Sequence, residues 1–170
     1  MKNITSQLLD ILDHSPLATA VYKSKDLIIS FASQAMLAMW HKDKSIIDQL
    51  FKDVFPDFTK QGFTTILENV WTSGITYRAV DTPAHISDGS KTTLRYFTFE
   101  YKALLNASGE TYAILHTATD VTNQVLTNQK LQLHEEKLQF NNELENLTHF
   151  LSHDIKNPLS MAKIGIDFLS

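Results

Sequence analysis

Of the residues able to do chemistry, the run Ser152-His153-Asp154-Ile155-Lys156-Asn157-Pro158-Leu159 sets an imidazole beside a carboxylate, one turn before a proline. Leu151 and Ile155 share one seam of an expected helix. At about 100° per residue, His153 then projects about 200° away from each of them, into solvent. Such a placement suits a phosphoryl acceptor. A phosphoryl donor must reach the ring, and attack needs a neutral ring nitrogen, the common state of a histidine near neutral pH. Asn157 lies four residues on, about one turn along the same face. Pro158 lacks an N–H and clashes with the carbonyl four residues back, that of Asp154, so a bend is expected just past the acceptor. Taken alone, His153 would be a solvated surface histidine. His149 and His153 form an i, i+4 pair, but two ligands do not make a structural zinc site and the chain has no cysteine, so no metal is expected.

All eight positions from Ser152 to Leu159 fit a known pattern, and the run resembles the H-box of histidine protein kinases. The resemblance implies that His153 is phosphorylated from ATP and that Asp154 acts as general base, taking the proton of the other ring nitrogen. It makes Asn157 a candidate for orienting the water that dephosphorylates a partner. It also implies two partners: a kinase ATP-binding domain, which would bring ATP and Mg, and the receiver domain of a response regulator. The Asn-rich and Gly-rich boxes of that ATP-binding domain are not among these 170 residues, and none of the five glycines sits in a phosphate-binding pattern. The chain by itself is therefore expected to be enzymatically inactive. Residues 147–170 read as the first helix of a histidine kinase dimerisation and phosphoacceptor domain, without its second helix.

A long helix must carry this site. From Asn123 there is no glycine or proline until Pro158, and Leu126, Leu133, Phe140 and Leu147 recur seven residues apart. This spacing marks a coiled-coil seam, continued by Leu144, Leu151, Ile155 and Leu159 with a stutter around residue 151. Residues 123–146 are read as a signalling linker and a parallel homodimer is expected. The alternative is one amphipathic helix folded back on the preceding domain. A continuous helix over the 33 residues from Asp120 to His153 would carry a signal roughly 50 Å.

Upstream, Ile4, Leu8, Ile11 and Leu12 have helical spacing over residues 3–13, and Ser15-Pro16 ends that run. Leu17 to Lys23 and Leu27 to Phe31 read as a hairpin. Helices are expected over Ala32 to Trp40, Lys44 to Phe51 and Phe63 to Trp71, with Gly74 as a stop. Three β patterns follow, Ile75 to Ile86, Thr92 to Leu105 and Glu110 to Val121, joined by turn sequences at residues 87–90 and 106–109. The order implies an α+β domain with helices against an antiparallel sheet. With Asp53-Val-Phe-Pro56, Gly74 and Asp120-Val-Thr122 it resembles the PAS sensor fold over about residues 5–122, so residues 1–122 are read as a PAS domain with a short leading helix. Asp120 and Thr122 are alternative N-caps for the long helix, and with Pro158 they are the expected signal-transfer positions. PAS kinases commonly pair the equivalent of Asp120 with a basic residue; of the two arginines, Arg78 and Arg95, the expected partner is Arg95.

Composition narrows the function. A hydrophobic content of 43% with ten Phe argues against disorder. No run approaches the roughly 20 apolar residues of a membrane span. The opening residues lack the pattern of a signal peptide, so a cytoplasmic location is expected. A net charge of −4 without a basic cluster argues against nucleic-acid binding. The lack of cysteine excludes a cysteinyl flavin adduct, and residues 63–71 lack the histidine that oxygen-sensing haem PAS domains place there, so the ligand is left unspecified. Trp40, His41, Tyr77, His85, Arg95, Tyr96 and His116 could line a pocket, although strand aromatics usually fill cores and His116 reads more simply as a hydrogen-bonded histidine. Two functions follow: the sensory and phosphoacceptor portion of a two-component histidine kinase, or a non-enzymatic PAS module that binds a ligand and dimerises.

Overall fold

The computed structural model describes residues 4–87 and 89–167, and the side chains of these up to Lys156 apart from Thr5. The chain divides into two units, Met1–Val125 and Leu126–Ser170.

The first unit is built on a five-stranded antiparallel sheet in the order β2-β1-β5-β4-β3. Its strands are β1 (Ala18–Lys23), β2 (Ile28–Ala32), β3 (Tyr77–Ser87), β4 (Thr92–Leu105) and β5 (Thr111–Asp120). Local hairpins account for β1–β2 and for the β3–β4–β5 meander. The closing β1–β5 pair, with Ala20 opposite His116 and Tyr22 opposite Ile114, joins segments more than 90 residues apart. Alternation puts Tyr22, Phe97, Phe99, Tyr101, Ile114 and His116 on the inner face, where each is buried.

Helices α2 (Gln34–Trp40), α3 (Phe51–Val54), α4 (Pro56–Lys60) and α5 (Phe63–Ser73) cover that face. Met36 and Leu67 are completely buried, as is Phe51 to within 1%. Each such side chain contributes about 1.5–3 kcal/mol relative to exposure. On α5, Phe63, Leu67 and Val70 form the buried stripe that the spacing predicts, and Gly74 ends the helix at φ 70°, where its N–H bonds the Val70 carbonyl. Helix α1 (Ile4–His14) is tied to the domain by Asp13, which accepts bonds from Lys44 at 2.5 Å and Gln34 at 3.3 Å.

Two expectations are corrected. Residue Ala32 belongs to β2, and α2 begins after Ser33, whose hydroxyl caps the helix by accepting the Met36 N–H. No helix spans Lys44 to Phe51. A 3-10 turn at Lys44–Ile46 is followed by Asp48 at φ 64° and by strand-like bonds from Ile29 N–H to Gln49 and from Asp48 N–H to Ile29. Pairing with the edge of β2 thus outcompetes a short helix whose apolar positions suit either conformation. The turn read at residues 87–90 includes Asp88, which lies outside the described residues.

The described residues of the second unit belong to α6 (Thr122–Asp167), 46 residues long and helical through Pro158. No helix among the described residues is long and apolar enough to cross a membrane.

Candidate functional site

Three groupings of candidate functional side chains stand among the described residues. The first is a slot between the inner face of the sheet and α2–α5. It holds a cavity of only about 40 Å³, lined by aromatic and aliphatic side chains such as Trp40, Phe58, Phe63 and Phe99, with His116 at its wall. His116 is 5% exposed and surrounded by rings: Tyr101 lies edge-on at 4.6 Å between centroids, Tyr22 and Trp40 at 6.0 Å. The Tyr22 hydroxyl and His116 Nδ1 are 2.8 Å apart. Either the phenol donates to Nδ1 or Nδ1–H donates to the phenol oxygen, according to the tautomer of the ring.

Burial governs the charge state of this cluster. Removal from water pushes His116 down to about 3, so the ring is neutral across the ordinary pH range. The same desolvation raises Tyr22 well above the usual phenol range and, with Tyr77 nearby, raises Tyr101 too. Next to the slot is a polar cleft that shares Trp40, Phe58 and Ile86 with it and adds Lys42, Asp53, Asp57 and His85.

The other residues expected to line a pocket have separate roles. His41 is the left-handed C-cap of α2, Tyr77 stacks on Tyr101, and the His85 backbone is bracketed by the Gln61 amide. The Tyr96 backbone N–H donates to Thr122 Oγ1, and Arg95 belongs to the second grouping.

That grouping lies where β5 passes into α6. Arg95 Nη1 donates to Asp120 Oδ2 at 2.9 Å, as expected, while Arg78 pairs with Glu100. Asp120 Oδ1 accepts the Thr122 N–H at 3.0 Å, which satisfies a donor at the helix start. Thr122 is not the cap. Its hydroxyl accepts the Tyr96 N–H at 2.9 Å, pinning the helix start to β4. Partial burial alone would raise the Asp120 carboxyl, but hydrogen bonds from Thr122 and Arg95 outweigh it and hold the group below its usual range.

The third grouping is on α6. His153 and Asp154 are adjacent and exposed, 66% and 55%, with Nδ1 3.8 Å from Asp154 Oδ1. The ring is open to a partner, and its Nδ1 edge faces the carboxylate. The side chains of Asn157 and Pro158 lie outside the described residues. Leu126, Leu133, Phe140 and Leu147 are 42–60% exposed among the described residues.

Sequence reasoning named His116 but missed Tyr22. Both face inward by strand parity, but only the long-range β1–β5 register brings them together.

Comparison with solved structures gives an RNA-binding light-oxygen-voltage receptor with TM-score 0.61 at 12% identity, covering 82% of this chain and 38% of that one. A LOV protein of Rhodobacter sphaeroides has TM-score 0.55 at 9% identity, covering 69% and 66%. The PAS domain of Bordetella pertussis BvgS has TM-score 0.55 at 14% identity, covering 78% and 97%. The chain thus spans less than two thirds of the length of the first two. A search of curated proteins gives no significant match. These identities speak for the fold alone. The family model described as PAS fold matches residues 12–126, with the sheet, the covering helices and the β5–α6 junction inside it. The chain belongs to the PAS family.

Proposed function

We propose that this chain is a ligand-sensing PAS module that signals as a homodimer, with α6 as both output arm and dimerisation element. The observation that carries this reading is the heptad row Leu126, Leu133, Phe140 and Leu147, apolar yet about half exposed on a helix rich in Gln, Asn, Glu and Lys. Such a row is costly in water and is satisfied by a second copy in register. The junction supports the output role. Any shift of β4 or β5 against the slot is passed to the first turn of α6 through Arg95–Asp120 and Tyr96–Thr122. Light scattering tests the reading. The chain, 19.3 kDa as a monomer, should run at twice that mass, and Leu133→Glu/Phe140→Glu should return it to monomer with the PAS fold intact. A concentration-independent monomer would remove the dimer.

A second reading makes α6 a phosphoacceptor helix in a two-component histidine kinase. It is favoured by the exposure of His153 and the nearness of Asp154 to Nδ1. Nε2 would attack the γ-phosphorus of ATP as the bond to ADP breaks, and the Nδ1 proton would pass to Asp154. The ATP, Mg and their binding domain would come from outside these residues, and the phosphoryl group would go on to a response-regulator aspartate, with Asn157 a candidate for the later hydrolysis. Supplying a histidine-kinase ATP-binding domain in trans tests this: label should enter the chain and disappear in His153→Gln. Equal labelling of both proteins would exclude His153.

A further inference from the structure

The seam of α6 is built unevenly along its length. Leu144 and Leu151, exposed at 45% and 50%, lie four residues after Phe140 and Leu147 and set a second row of core positions. Carried back in steps of seven, that row falls on Lys137 and Lys130. Two apolar rows therefore line the seam from Phe140 to Leu151, whereas before Phe140 leucine alternates with lysine.

Neither lysine finds a carboxylate along its own helix. The residues three and four away from Lys137 are Leu133, His134, Phe140 and Asn141, and those around Lys130 are Leu126, Thr127, Leu133 and His134. Glu136 is likewise exposed and has no ion-pair partner among the described residues. Adjacent residues of a helix point about 100° apart, so Glu136 and Lys137 of one chain do not face each other.

A parallel second copy in register changes this. A core side chain at position 137 enters a hole formed by four residues of the facing helix, Leu133, Glu136, Lys137 and Phe140. Leu133 and Phe140 cover the lysine stem, and the Glu136 carboxylate lies where the ammonium leaves the seam. Two-fold symmetry gives two such pairs per dimer. Lys130 enters the corresponding hole of Leu126, Gln129, Lys130 and Leu133, where the Gln129 side-chain oxygen is an acceptor. With two strands, both lysine heads reach water at the flank of the seam. A third strand would close that flank and bury the charges.

We propose that Lys130 and Lys137 limit the output arm to two parallel strands, and that Lys137 pairs with Glu136 of the second copy. The inference rests on the homodimer reading and names the residues that select the number and direction of the strands.

Sedimentation equilibrium of the full chain tests it, with all changes at exposed positions of α6 outside the PAS core. Lys130→Leu/Lys137→Leu should move the mass from two copies to three or more. Glu136→Lys and Lys137→Glu should each weaken the dimer about five-fold, the worth of two exposed ion pairs. Made together they restore the pair with its signs exchanged, and the dimer should be tighter than with either change alone. A leucine variant that stays dimeric, or a double charge exchange no tighter than the single ones, would overturn the proposal. A monomeric wild type would instead remove the homodimer reading, and the inference with it.

Discussion

Lowering the pH should destabilise the PAS domain through His116 before its carboxylates begin to titrate. The ring is neutral in the fold because burial pushes it down to about 3, whereas in the unfolded chain it titrates near the ordinary 6.5. Between those values the unfolded state binds the extra proton, so stability is fully present above pH 6.5 and falls as the pH drops toward 3. The other titratable groups facing the ring, Tyr22 from β1 and Tyr101 from β4, are themselves held neutral and offer no charge to stabilise an imidazolium. At about 1.4 kcal/mol per pH unit, the loss from this one group reaches about 3 kcal/mol by pH 4.5. That is a large share of the 5–15 kcal/mol typical of a domain. Urea unfolding of the chain and of Tyr22→Phe/His116→Leu at pH 7.5, 6.5, 5.5 and 4.5 isolates the effect. Replacing both partners removes the titration without stranding a buried hydroxyl. The wild type should lose about 3 kcal/mol more than the variant across that range. Parallel pH profiles would mean that His116 is solvated in the folded protein, and its burial among Tyr22, Trp40 and Tyr101 would be wrong.

Other outcomes follow from the same geometry. Asp120→Ala should cost about 1 kcal/mol by removing the acceptor for Thr122 N–H and the partner of Arg95, read as a lower urea midpoint and faster exchange of the first α6 amides. Leu67→Ala, at a completely buried position on α5, should cost about 2–5 kcal/mol by the same unfolding assay. Gly74→Ala should cost about 1–2 kcal/mol, because φ 70° suits glycine and the added Cβ would sit 3.3 Å from Leu105 Cδ2; most of that cost is backbone, since the Leu105 side chain can move.

Legibility from sequence followed the range of the interactions. The meander was readable because Phe97, Phe99 and Tyr101 alternate against Tyr96, Thr98 and Glu100, and the α6 seam because its period is local. The Arg95–Asp120 pair was accessible through the resemblance to PAS kinases and is present at 2.9 Å. The segment from Lys44 to Phe51 was misread because its conformation is set by hydrogen bonds to Ile29 and Leu27 and by a left-handed Asp48, none of which leaves a periodic trace. The Tyr22–His116 bond was hidden for a related reason. Each residue reads as ordinary core, and their chemistry exists only once β1 closes against β5.

The central claim, that α6 pairs in parallel and in register with a second copy, is met most directly by spin-label distances. The chain has no cysteine, so single cysteines at Asn128 and Asn142 give clean labels two heptads apart on the face away from the seam. Pulsed dipolar spectroscopy should then give one short distance between protomers, the same at both sites, because helices in a coiled coil stay about 8–10 Å apart along their length. No dipolar signal, or distances that differ widely between Asn128 and Asn142, would contradict it.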